Sequence, residues 1–127
     1  MKKTILTVED DPSILKGIVD KLTLEGFEVI QAHDGEEGLK VALDKQPDLI
    51  LLDIIMPKMD GLTMMKQLRA KNTWSKNVPI ILLSNLSPDD ERINQSVAAD
   101  SPAYYLMKPN WSMDDVVAKV KETLNIT

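Results

Sequence analysis

Apolar runs and helical spacings alternate from one end of the chain to the other. Thr4 to Val8 (TILTV) is a short apolar run, predicted as a strand, that stops at Glu9-Asp10-Asp11. Pro12, favoured in a first helical turn, follows Asp11, which predicts a helix with that carboxylate as its N-cap. Ile14, Leu15, Ile18, Val19 and Leu22 recur at helical spacing, and Gly26 supplies the stop. FEVIQ (Phe27 to Gln31) reads as a second strand, and Asp34 with Glu37 three residues on forms a cap pair for a helix through about Asp44. DLILLD (Asp48 to Asp53) and VPIILL (Val78 to Leu83) are nearly continuous in apolar residues, as strands covered on both faces must be. Between them, Leu62, Met65 and Leu68 mark a third helix. Ser87-Pro88-Asp89-Asp90 and Ser112-Met113-Asp114-Asp115 are helix starts, and AYYLM (Ala103 to Met107) between them makes a fifth strand.

Five strands alternating with five helices predict an α/β fold, a doubly wound parallel sheet in the flavodoxin-like order 2-1-3-4-5. Right-handed crossovers leave few competing topologies. With 127 residues the expectation is one domain spanning 1–127, the last helix closing at about Leu124 without an output domain. The net charge of −5 repels phosphate backbones, so direct nucleic-acid binding is not expected. The absence of cysteine removes disulfides, thiolate metal sites and thiol nucleophiles. The apolar stretch after the initial lysines is too short for a signal core, and no segment has the roughly 18 apolar residues of a membrane span, so a cytoplasmic location without membrane insertion is expected.

In an open parallel sheet, ligands bind beyond the carboxyl ends of the strands, where the strand order reverses. Glu9, Asp10 and Asp11 follow the first strand, Asp53 ends the third, Ser84 follows the fourth, and Lys108-Pro109 follows the fifth. The first and third strands are neighbours in the predicted order, so three or four carboxylates converge and would repel one another without a cation. Ligation by oxygen alone suits magnesium, which keeps several waters and accepts one or two carboxylates plus a phosphate. Lys108 adds a fixed positive charge and Ser84 a hydroxyl donor. Together they form a receiving site for a phosphoryl group, with Asp53 as the candidate nucleophile.

The segments VEDD (Val8 to Asp11), LLDIIMPKMDG (Leu51 to Gly61), ILLS (Ile81 to Ser84) and YLMKP (Tyr105 to Pro109) closely resemble the receiver domains of two-component response regulators. Four motifs in order and at compatible spacing cover the whole chain. The resemblance implies that Asp53 is the phosphoacceptor, attacking phosphohistidine on a sensor histidine kinase or histidine phosphotransfer protein. It makes Glu9, Asp10, Asp53 and the backbone carbonyl of Ile55 the ligands of Mg2+, for which Mn2+ can substitute. It assigns Ser84 and Lys108 to the phosphoryl group, and Ser84 with Tyr105 to a coupled switch that reshapes the surface made by the fourth helix, fifth strand and fifth helix for a downstream protein. In the family the Lys-Pro bond is cis, and Pro109 is placed for that isomer. The chain would then be no enzyme beyond promoting its own phosphoryl transfer and loss.

Several positions depart from the family pattern. Asn110 and Trp111 stand where a large apolar residue usually follows Lys-Pro, SPAYY (Ser101 to Tyr105) replaces a common Gly-Ala-Asp-Asp-Tyr, and Asn85 replaces a small residue after Ser84. Ile55 and Leu86 offer no group to orient a hydrolytic water, so slow loss of the phosphoryl group is expected. His33, the single histidine, reads as a loop residue, the seven methionines as core filler, and Trp74 as part of a polar loop. An aspartate-nucleophile phosphatase of the haloacid-dehalogenase type would need a carboxylate where Ile55 stands. A flavodoxin would need a glycine- and hydroxyl-rich loop where Glu9-Asp10-Asp11 stand. The remaining alternative is an interaction module of the same fold that works without phosphorylation.

Overall fold

The computed structural model describes residues 2–84, 104–107 and 112–126, with only the backbone described at 84 and 104–107. A five-stranded parallel sheet has the order β2-β1-β3-β4-β5, built from β1 (Thr4–Val8), β2 (Glu28–Ala32), β3 (Leu49–Asp53), β4 (Ile80–Ser84) and β5 (Tyr104–Met107). The described helices are α1 (Pro12–Leu24), α2 (Gly35–Lys45), α3 (Gly61–Arg69), α4 (Thr73–Asn77) and α5 (Met113–Thr123). The helix predicted from Ser87 lies outside the described residues.

Alternation along the central strands divides the core in two. Leu49 and Leu51 of β3 face Ile18 and Leu22 of α1 and Val116, Val117 and Val120 of α5. Ile50 and Leu52 face Ala42 of α2 and Met64, Met65 and Leu68 of α3. All four β3 residues are inaccessible to solvent, which is why the strand reads as an unbroken apolar run rather than an alternating one. β2, at the sheet edge, is only partly covered and carries Glu28 and Gln31 to water.

Local chemistry closes the helices where expected. Asp11 accepts from the backbone N–H groups of Ser13 (2.8 Å) and Ile14 (3.2 Å). Gly26, at φ +95°, ends α1, with Gly26 N–H donating to Thr23 (3.0 Å) and Phe27 N–H to Leu22 (3.1 Å). Phe27 is thereby used up in the helix stop, and β2 starts one residue later than its apolar run suggests. Ser112 and Asp115 form a reciprocal capping box at α5. At α2 Asp34 accepts from Glu37 N–H (2.8 Å), but the Glu37 carboxylate turns to His33, accepting from its backbone N–H (2.7 Å) and contacting its ring Nδ1 (2.8 Å).

One element differs from expectation. Residues 73–77, read as polar loop, form α4, started by a capping box between Asn72 and Ser75. Arg69 fastens it by donating to the carbonyls of Ser75 and Val78. Trp74 is half-buried against the α2/α3 core.

Candidate functional site

The register of the sheet sets the site. Val8 pairs with Leu52, so Glu9 and Asp53 are the next positions at the carboxyl ends of adjacent strands. Glu9 is held by its own backbone, its N–H donating to Ala32 of β2 at 3.1 Å, and the side chain is 2% exposed. Asp53 is 9% exposed, and Asp10 is open to solvent. One carboxylate oxygen from each of Glu9, Asp10 and Asp53 lies within 4.8 Å of the others. Asp11 does not join them, because its carboxylate is spent on capping α1, so three acids converge rather than four. Its backbone N–H donates to Glu9 Oε2 at 3.3 Å.

The Asp10 carboxyl, though open to solvent, is pushed above the ordinary carboxylate range, first by partial loss of hydration, then by the hydrogen bond it shares with Glu9, with repulsion from Glu9 and Asp11 adding to both. The donor set consists of hard oxygen atoms on short side chains, which fits a small divalent cation such as magnesium and offers nothing to soft metals.

The loop after Asp53 is folded back tightly. Gly61 N–H donates to Ile54 O at 2.7 Å, and a Cβ at Gly61 would lie 2.1 Å from the Asp53 carbonyl oxygen, so only glycine lets α3 start against the end of β3. Asp60 caps α3 by accepting from Thr63 N–H at 2.8 Å. Ile54 and Met56 are buried, whereas the Ile55 side chain between them is 56% exposed.

Of the other residues expected at the site, Ser84 ends β4 one position beyond the partner of Asp53, and its backbone pairs with Met107. Tyr105 lies in β5 opposite Leu82. Lys108 and Pro109, with Asn110 and Trp111, lie outside the described residues, as do Asn85 and Leu86. Sequence reasoning missed the structural part played by glycine at the first position of α2 and α3. The signal was present, since Asp34-Gly35 and Asp60-Gly61 each pair a capping acid with a residue poorly suited to continue a helix.

Comparison with known proteins shows the family and the fold. The response regulator receiver domain family matches residues 5–121. Over 125 residues the chain is 39% identical to the alkaline phosphatase synthesis transcriptional regulatory protein PhoP of Bacillus subtilis, covering 98% of this chain and 49% of that one. A CheY-like receiver domain protein from Methanospirillum hungatei superposes with a TM-score of 0.88 at 27% identity, covering 98% of this chain and 95% of that one. The receiver domain of sensor histidine kinase PA1611 from Pseudomonas aeruginosa, solved with magnesium coordinated in its active-site cleft, gives 0.86 at 26% identity, covering 98% of this chain and 99% of that one. The chain belongs to the receiver domain family of two-component response regulators. It spans about half the length of the PhoP relative. Among the described residues, no helix is long and apolar enough to cross a membrane.

Proposed function

We propose that residues 1–127 form one receiver unit that works as a phosphorylation switch, with Asp53 as the acceptor. The observation that carries this reading is the convergence of Glu9, Asp10 and Asp53 within 4.8 Å at the ends of neighbouring strands. An Asp53 carboxylate oxygen attacks the phosphorus of a phosphohistidine on a sensor kinase or phosphotransfer protein. The new P–O bond forms as the P–N bond breaks, and the electron pair leaves with the imidazole nitrogen, which takes up a proton. Glu9, Asp10, Asp53 and the Ile55 carbonyl hold Mg2+, which when bound supplies the positive charge that offsets the carboxylates and the phosphoryl oxygens. Ser84 donates its hydroxyl to the phosphoryl group and Lys108 pairs with it.

A phosphoryl group adds roughly −1.5 to −2 charge and three strong acceptors, so it favours whichever packing closes Ser84 and Lys108 around it. Tyr105 follows Ser84 in that rearrangement, and the surface around β5 and α5 changes for a downstream protein. The relative in Bacillus subtilis is named as a transcriptional regulator; for this chain the direct target is read as a protein and not a nucleic acid, in keeping with its net charge of −5.

Intact-protein mass spectrometry after incubation with acetyl phosphate tests this reading. Wild type should gain one phosphoryl group only when magnesium is present, and Asp53→Asn should gain none. An adduct on the variant would mean that another residue is the acceptor. A wild type that binds magnesium but stays unmodified by both acetyl phosphate and phosphohistidine donors would overturn the switch in favour of a phosphorylation-independent interaction module.

A further inference from the structure

The loop between β3 and α3 carries an unusual turn. Lys58 has φ +67°, in the left-handed region that favours glycine, and Met59 N–H donates back to Pro57 O at 2.7 Å. A three-residue turn of this kind in a non-glycine residue stores strain and persists only where the surroundings hold it. The surroundings here are the first turn of α2. Gly35 is buried, and a Cβ on it would lie 2.1 Å from the Met59 carbonyl oxygen and 2.8 Å from both the Met59 carbonyl carbon and Cβ. Asp34, which caps α2, lies 3.7 Å from the Lys58 ammonium.

We infer that Gly35 is a positioning residue for the metal site: its missing side chain lets Met59 seat against α2, which holds the strained Lys58 turn and with it the Ile55 carbonyl. The inference rests on the functional reading above, since it concerns the ligand geometry of that same site. The loop from Ile54 to Gly61 is a closed hoop, joined by the Gly61 N–H to Ile54 O bond and anchored by buried Ile54 and Met56. A side chain at 35 must push the Met59 carbonyl away by more than about 1.3 Å to reach ordinary contact, and a closed hoop passes that displacement to its other members. The Asp34–Lys58 pair adds little, because Lys58 is 64% exposed. Steric fit carries the effect.

Magnesium titration by calorimetry on the purified chain tests this, with apo-protein thermal stability measured alongside. Gly35→Ala should weaken magnesium binding at least fivefold, and its slower uptake of phosphoryl from acetyl phosphate should recover at saturating magnesium. Gly38→Ala is the control on the same helix. Its Cβ would meet Met64 Sδ at 2.9 Å and the Val8 methyls at 3.0 Å, well inside the core, so it should lower stability while leaving magnesium affinity within twofold. Lys58→Gly, exposed and compatible with φ +67°, loosens the turn without burdening the fold and should weaken binding about threefold. Unchanged affinity in folded Gly35→Ala would overturn the positioning role. If that variant fails to fold, unchanged affinity in Lys58→Gly overturns it instead. A wild type that binds no magnesium would refute the functional reading itself, a separate failure.

Discussion

Replacing Asp10 by Asn should stabilise the metal-free protein while abolishing its response to magnesium. The Asp10 oxygen lies within 4.8 Å of both Glu9 and Asp53 oxygens. At that distance one pair of like charges costs about 1 kcal/mol in a water-like dielectric and about 3.5 kcal/mol at an effective dielectric of 20. Asp10 is open to solvent, which pulls the figure towards the lower end, while the buried position of Glu9 pulls it up. Removing one charge from the cluster should therefore gain about 1–2 kcal/mol, or about 4–8 °C in Tm for a chain of this length. The amide can still hydrogen-bond to Glu9, now as a donor to a carboxylate. Thermal unfolding at neutral pH in EDTA, then in excess magnesium, reads both halves. In EDTA the variant should melt above wild type; in magnesium the order should reverse, because a ligand at 100 times its Kd adds about 2.7 kcal/mol to wild type alone. The advantage should also fade on acidification. The raised Asp10 pKa means that folding opposes its ionisation, so wild type loses stability as pH rises through that pKa and regains it as pH falls below. A variant that melts below wild type in EDTA at neutral pH would refute the claim that an ionised Asp10 costs the metal-free protein stability.

Other substitutions probe separate parts of the structure. Leu51→Ala, at a fully buried position in the central strand, should cost about 2–5 kcal/mol by urea unfolding with little change in m-value. Glu25, hydrogen-bonded to Lys121 at 2.8 Å, has its carboxyl held below the usual range by that bond and by the lysine charge. The pair therefore adds stability above the ordinary carboxylate range that is lost as pH falls through the lowered pKa, so the Tm deficit of Glu25→Gln at neutral pH should close in strong acid. Ile55→Asn places a polar group at an exposed apolar position beside the acceptor. It should shorten the lifetime of phosphorylated protein severalfold by mass spectrometry, and a wild-type lifetime of only seconds in magnesium buffer would contradict the slow-loss reading.

The chain's local pattern determined most of the fold. The unbroken apolar run of β3 announces burial on two faces, and Asp11, Asp34 and Ser112 each cap the helix that follows them because capping involves atoms only a few residues apart. The alternation of elements then implied the parallel sheet, and the carboxylates that follow β1 and β3 became neighbours through the strand order alone. Other features depend on which of several available partners a group takes once the chain is packed, which no local periodicity encodes. Asp11 stays out of the acidic cluster while its Oδ1 accepts from the Ser13 and Ile14 N–H groups to cap α1. Trp74 sits in a helix because Asn72, Ser75 and Arg69 meet there and an apolar surface awaits the indole. Glu37 turned to His33 rather than to the Asp34 backbone, a choice between two donors one residue apart. The seating of Met59 on Gly35 joins residues 24 positions apart, so the sequence shows a glycine at the start of a helix, and only the packed structure supplies the carbonyl that forbids anything larger.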